Sequence, residues 1–396
     1  MLSNIISVMV SADWHIGATD PYRFRLELLR TVEAVIKEKK RLDLFVVAGD
    51  TFDMKEYLSS DSVKVFFLIM IDLLNLTKEY HTEFRFIEGT RTHDALQLST
   101  LGIVFNQLMQ IDRVKFIEEV EEEYIFGLDI LYIPEEYITD SDIYYKPFFS
   151  KHYDFLFGHG NTDLMWYMKK EKGHKTSSAP VFKANELSNV ANYSYFGHFH
   201  YRIEAGVDKR FKSIGPVSRW EFGKDGDCGL YYVEYDKSSN LAFEEYIPNE
   251  YAPILPTVIL NIKKDYDLET LNKKIKDKIN SVMGGADKVR LLINMDTTLE
   301  SFIVMRDFIL ASYGSADKIT LLLKLIGSEE SKEFEEIPEK SLEESIEEKP
   351  YLYNKSMQDE AKIAAFIRKK EGVNISLENI LDVIMKKDTK IKNRED

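Results

Sequence analysis

Short runs of apolar residues, each stopping abruptly at a loop that carries His or Asp, set the rhythm of the first half of this chain. They read ISVMVSADWH, LFVVAGD, FRFIEGTRTHD, YDFLFGHG and YSYFGHFH. Continuous apolar runs bounded by turn residues predict buried strands, and open α/β sheets place their ligand-binding loops just beyond the strand ends. Between the first two runs, Asp20 can cap and Pro21 can open a helix whose Leu28, Val32, Val35 and Ile36 share one face. A second helix is expected near Ser60 and Asp61, with Val63, Phe67, Met70, Ile71 and Leu74 as its buried stripe.

The pattern changes after about Asp208. Tyr-, Phe- and Val-containing runs separated by Gly, Asp and Ser, up to Ile247, predict antiparallel strands that close a first domain over 1–247. YIPNEYAPILP reads as a linker. Over 254–327, PTVILNI, a Lys-rich helical stretch, KVRLLINM, a helix from near Thr298 and ITLLLKL predict a small strand-helix-strand-helix-strand domain. The stretch 328–396 is acidic and Pro-interrupted, then amphipathic, with Ile363, Ala364, Phe366 and Ile367 followed by Ile375, Leu377, Ile380, Leu381 and Ile384. Two helices with such faces suit either a partner or the chain's own body.

Composition narrows the class. A hydrophobic fraction of 44% fits a globular interior rather than a disordered chain. The single cysteine, Cys228, excludes an intrachain disulfide and a cysteine-built zinc site, and suits a reducing, cytoplasmic compartment (host cytoplasm, were the chain phage-encoded). The first apolar run lacks a preceding basic region, so it is expected to be a strand rather than a signal peptide. No run approaches the roughly 20 residues of a membrane-spanning helix, so no membrane association is expected. The formal net charge of −15 argues against attraction of nucleic acid over the whole surface and leaves room for a local groove. Lys169, Lys170, Lys172, His174 and Lys175 form one basic loop that can track a DNA backbone, or merely be solvated.

Divalent cations of the first transition row favour carboxylate and neutral imidazole ligands, and a pair about 3.5–4 Å apart needs one bridging carboxylate. Asp13-Trp14-His15 offers two ligands at one strand end. Gly49 permits a sharp turn before Asp50, the natural bridge, with Asp53 expected to anchor a ligand from behind. His159 stands between two glycines. In Gly197-His198-Phe199-His200 an extended backbone would put both imidazoles on one face, each able to serve a different metal. Trp14 and Phe199 can stack on a base or pack beside the metals. Any one of these motifs more often just hydrogen-bonds its loop; five together point to a metal centre.

As a set, DWH, GDTFD, His93-Asp94, GHG and GHFH resemble the motifs of calcineurin-like metallophosphoesterases, and within that superfamily the SbcD-type DNA repair exonucleases, including phage recombination nucleases. The motifs span about the first 220 residues; the small α/β domain and the tail match that family's capping domain and partner-binding region more loosely. The resemblance implies a four-layer αββα sandwich with a small α/β capping domain and a helical C-terminal tail. It implies two divalent ions, usually manganese: one held by Asp13, His15, Asp50 and His200, the other by Asp50, His159 and His198. It makes His93 the catalytic histidine that steadies or protonates the leaving group, with Asp94 fixing its tautomer. The usual Gly-Asn-His-Asp is replaced by Gly89-Thr90-Arg91-Thr92-His93-Asp94, so the metal-binding Asn is missing. Thr92 is expected in its place as a poorer ligand, giving a weaker second metal, and Arg91 is a candidate phosphate contact. The implied activity is a DNA exonuclease, 3′→5′ on duplex ends with endonuclease capability, working as a homodimer with an SbcC-type coiled-coil ATPase in repair or recombination. A phosphoprotein, a cyclic nucleotide or another small phosphoester is the alternative substrate, and a binding subunit with a decayed site is a third reading.

Overall fold

In the strands Ile5–Ser11 (β1), Leu44–Ala48 (β2) and Glu83–Ile87 (β3) nearly every side chain is buried, which requires cover on both faces of the sheet. Helices supply it on one side. Met9, Phe45, Val47, Phe84 and Phe86 pack against Leu28 and Val32 of α1 (Pro21–Lys39) and Phe66 and Met70 of α2 (Asp61–Leu76). A second sheet supplies it on the other: Val8, Val10, Leu44 and Val46 meet Tyr132, Phe155, Phe157 and Tyr195. The outer face of that second sheet, with Leu131, Leu156 and Phe196, packs in turn on Tyr145 and Leu187, which lie in the helices Ser141–Phe149 and Ala184–Val190. The result is a four-layer αββα sandwich. The chain is described here from a computed structural model, over residues 4–109, 111–138, 140–164, 180–223, 226–262, 267–314, 316 and 318–326.

With strands numbered along the chain, the first sheet runs β14 (Leu241–Pro248), β13 (Gly229–Asp236), β1, β2, β3, β4 (Val114–Ile117). The second runs β11 (Ile203–Ala205), β12 (Phe211–Ser213), β10 (Ala191–Gly197), β7 (Tyr153–His159), β6 (Leu128–Ile133), β5 (Glu121–Ile125). A two-residue pair, β8 (Asn161–Thr162) and β9 (Val181–Phe182), flanks them. β1 to β4 are mutually parallel, as are β6, β7, β10 and β12. β13 and β14 close the first sheet as an antiparallel pair on β1. β12, in the stretch expected to be antiparallel throughout, instead runs parallel to β10.

Local chemistry sets the helix ends. The Asp20 carboxylate accepts from the Tyr22 amide at 3.0 Å, with Pro21 in the first turn, and Ser60 Oγ accepts from the Val63 amide at 3.2 Å. The buried stripe of α2 is wider than expected. Val65, Phe66, Ile69 and Leu73 join it while Ile71 is only half-buried, because the face it covers is broadened by the aromatic cluster of Phe84, Phe86 and Phe105.

The described residues divide into two units, 4–218 with 226–251, and 219–223 with 252–326. The second unit has three parallel strands, β15 (Thr257–Ile262), β16 (Val289–Asp296) and β17 (Ile319–Ile326). Leu271, Ile275 and Ile309, from helices Leu268–Met283 and Leu299–Tyr313, cover Leu260, Leu291 and Ile293. The first unit's chain therefore does not run unbroken to 247. The stretch 219–223 crosses over, with the Gly223 amide donating to Leu255 O at 2.8 Å and Arg290 Nη2 donating to Phe222 O at 3.0 Å. The expected basic loop at 169–175 and the helical tail over 328–396 lie outside the described residues. Among the described residues no helix is long and apolar enough to cross a membrane.

Candidate metal centre

The parallel strands of both sheets deliver their C-terminal ends to one place. Beyond β1, Asp13 (φ 51°) and His15 (φ 44°) both occupy left-handed backbone, as do Asp50 (φ 49°) beyond β2 and His198 (φ 83°) beyond β10. For a residue with a side chain that conformation costs about 1–3 kcal/mol and persists only where its surroundings enforce it. Here the Asp13 amide donates to Gly49 O at 3.1 Å and the His15 amide to Asp50 O at 3.0 Å, stitching the first loop to the second. Trp14, between the two ligands, turns the other way. Its ring is buried against Phe24, Phe45 and Phe86 and its Nε1 donates to Ser11 Oγ at 2.9 Å, so it packs the core and has no face for a base. Phe199 is likewise buried, against Tyr201.

The two sheets approach closely beneath the site. A Cβ on Gly197 would fall 2.2 Å from Ala48 O, and one on Gly49 (φ 79°) 2.1 Å from His159 Nδ1. That closeness lets His159 Nδ1 donate to Ala48 O at 2.8 Å, which turns Nε2 toward Asp50 Oδ2, 3.2 Å away. From the other side, the His198 amide donates to Asp13 Oδ1 at 2.9 Å.

Three groups of ligand atoms result, each lying within 4.8 Å of one another: Asp13, His15, Asp50 and His200; Asp50, His159 and His198; and His15, Asp53 and His93, which adjoins the first through His15. Asp50 belongs to the first two. The structure thus brings together all six residues singled out as metal ligands. Their chemistry suits a divalent cation. Asp13 Oδ2 is buried with no hydrogen-bond partner, and His15 Nε2 faces His200 Nε2 at 3.2 Å, an approach that needs a proton between the rings or a cation beside them. The electrostatics agree. Burial lowers the His159 pKa, but Asp50 above all, with Asp13 and Glu135, outweighs it and pushes it up to about 10. Burial, with Asp50 adding to it, raises Asp13 against the pull of His159. Burial would raise Asp50 too, but His159, His15 and His93 hold it well below the usual carboxylate range.

The third motif differs from expectation at two residues. Thr92 is exposed, and it is Thr90, directly after Gly89, that enters the site: its hydroxyl lies 3.3 Å from Asp50 Oδ2, 3.4 Å from His159 Nε2 and 3.3 Å from His198 Nδ1. The turn following Thr90, in which the His93 and Asp94 amides both donate to Thr90 O, carries Thr92 outward. Asp94 does not orient His93. Its buried carboxylate accepts from the Phe52 amide at 2.9 Å and the Gly89 amide at 2.8 Å, clamping the second and third loops, and burial and Asp50 push its pKa up to about 7. His93 instead donates from Nδ1 to the carbonyl of Asp53 in a short hydrogen bond, leaving Nε2 for other work, and its ring meets His15 edge-on at 4.7 Å. The Asp53 carboxylate lies 3.6 Å from His15 Nδ1, backing a ligand. Arg91 is exposed, its guanidinium over the Tyr137 ring at 5.0 Å.

A second residue of the site, besides Thr90, was not anticipated. Glu135, beyond the end of β6, has its carboxylate buried 3.0 Å from His198 Nδ1 and 3.7 Å from His159 Nε2. The His198 hydrogen bond is the leading influence that holds its pKa down against burial. Its signal was legible: LDILYIPEEY is a sixth apolar run ending in a ligand-capable side chain.

No family model and no curated protein matches the chain. Among solved structures, one described as "GAP50 the anchor in the inner membrane complex of Plasmodium" is similar at 14% identity and a TM-score of 0.37, over 62% of this chain and 85% of its own. A second reaches 10% identity and a TM-score of 0.33 over 61% and 99%. Similarity this slight carries nothing about what the chain does, which leaves its function to the chemistry of the site.

Proposed function

We propose that this chain is a two-metal phosphoesterase that hydrolyses phosphodiester bonds in DNA. The observation that carries the reading is the sharing of Asp50 by two ligand groups, Asp13, His15, Asp50 and His200 on one side and Asp50, His159 and His198 on the other. Two divalent cations, manganese by the resemblance of the motifs, would acidify a water and take up charge developing on the phosphoryl group. The protein's own groups do the rest. Asp13, Asp50 and their tethered backbone hold the ligands in place without reorganisation, and Ala48 O fixes the His159 tautomer. His93, held through Nδ1, presents Nε2 to a leaving oxygen that needs a proton. Arg91, exposed and stacked on Tyr137, is placed to meet a phosphate.

DNA as substrate, 3′→5′ polarity, action in repair or recombination, cytoplasmic location, a homodimer and an SbcC-type ATPase partner rest on the motif resemblance. Manganese-supported release of nucleotides from linear duplex DNA, abolished by Asp50→Ala and weakened by Arg91→Ala, is the expected result. Activity confined to a small phosphomonoester would contradict the nuclease reading in favour of a phosphatase, and no activity on either in the manganese-loaded protein would favour a binding subunit.

A further inference from the structure

Glu135 is an odd residue to bury. Its side chain is 2% exposed, and among the described residues no lysine or arginine forms an ion pair with it. Its neighbours are imidazoles, a hydroxyl and a phenol: His198 at 3.0 Å, His159 at 3.7 Å, Thr90 Oγ1 at 3.0 Å, and the Tyr137 hydroxyl at 3.3 Å on its other oxygen. A buried carboxylate without a fixed cation is costly, and the usual remedies are a proton, an ion pair or a metal. The same imidazoles share a ligand group with Asp50, whose Oδ2 lies 3.2 Å from His159 Nε2. Thr90 lies between, its single hydroxyl in reach of Asp50, Glu135, His159 and His198. The motif that carries Thr90, Gly89-Thr90-Arg91-Thr92-His93-Asp94, lacks the Asn of the Gly-Asn-His-Asp that it resembles.

We infer that Glu135 and Thr90 complete the second metal's ligand set, with a carboxylate and a hydroxyl doing together what one amide oxygen does elsewhere. The inference rests on the two-metal reading above and deepens it. A carboxylate neutralises part of the cation's charge where an amide only donates a lone pair, so the second ion is held as firmly as the first rather than more weakly. The backbone explains how β6 delivers it: the Glu135 amide donates to Glu88 O at 3.3 Å, tying this strand end of the second sheet to the loop that carries Thr90.

The test is manganese titration of the full chain by calorimetry, alongside its thermal unfolding with manganese and with chelator. Two ions of similar affinity are expected in the wild type. Glu135→Gln keeps an oxygen ligand but loses the charge, so one ion weakens by about tenfold and the manganese-induced rise in Tm shrinks; Glu135→Ala loses that ion, and the other stays. Thr90→Val weakens the same ion by a smaller factor. If both ions bind undiminished in the Glu135 variants, or if these variants lose as much Tm in chelator as in manganese, the carboxylate is structural and the inference fails while the two-metal reading stands. If the wild type binds no manganese, the two-metal reading itself fails. A crystal structure of manganese-loaded wild type needs no variant: Glu135 Oε2 within roughly 2.0–2.4 Å of the ion supports the inference, and a separation beyond roughly 3 Å overturns it.

Discussion

Asp13 shows at a single residue what a metal centre costs the apoprotein. Its carboxylate is fully buried in left-handed backbone, one oxygen lacks a partner, and burial together with Asp50 raises its pKa. A group whose folded pKa is raised stabilises the fold below its unfolded value and loses that contribution as pH climbs through the folded value, so the charged form of Asp13 is a burden to the metal-free fold. Asp13→Asn keeps the oxygen that accepts from the His198 amide and removes the charge. It is expected to raise the Tm of the chelated protein, by about 1 kcal/mol of added stability, while weakening manganese binding; a fall in chelated Tm would contradict this. His159 gives the matching pH dependence. Its pKa, raised to about 10, favours the metal-free fold fully below about 6.5 and loses that contribution as pH passes about 10. Because a cation must displace that proton, manganese affinity should rise about tenfold per pH unit between those values, with proton release visible in buffers of different ionisation enthalpy. A pH-independent affinity would count against His159 as a ligand. At this scale the sequence was legible wherever a ligand ended an apolar run. Thr90 and Asp94 were not legible: two extra residues separate Gly89 from His93, so the spacing does not say which threonine enters the site, and Asp94, although next to His93 in sequence, binds the Phe52 and Gly89 amides instead.

Among the elements, the decisive feature is that two mixed sheets stack with the ligand-bearing ends of their parallel strands together, near enough that Gly197 and Ala48 leave no room for a methyl group. Gly197→Ala would push Ala48 O away and with it the hydrogen bond that orients His159. The expected outcome is a loss of about 2–3 kcal/mol in chemical denaturation, and a selective weakening of the ion that His159 holds. Unchanged stability would mean that the sheets can part at no cost. The strands and helices themselves were visible in advance, since Asp20, Pro21 and Ser60 announce helix starts and unbroken apolar runs announce doubly covered strands. Glu135 also ends an apolar run, LDILYIPEEY, but nothing local shows which of the two glutamates after Pro134 turns inward; the stacking of the second sheet decides it. The crossing of 219–223 to the second unit is equally a matter of long-range contacts, Gly223 to Leu255 and Arg290 to Phe222, that no local pattern encodes.

Over the whole molecule, an excess of negative charge and a site rich in buried carboxylates make the metal-free protein a poor host for a phosphate anion, so any action on DNA has to begin with the cations. The central claim is that one carboxylate, Asp50, is common to the ligand groups of both metals. Electron paramagnetic resonance of the manganese-loaded chain tests it directly, because two ions joined by a shared ligand are magnetically coupled and two separate ions are not. The account predicts the multiline spectrum of a coupled manganese pair in the wild type, collapsing in Asp50→Ala even at manganese levels that saturate whatever sites remain. A six-line spectrum of isolated ions in the wild type, or a coupled spectrum that survives Asp50→Ala, would contradict it.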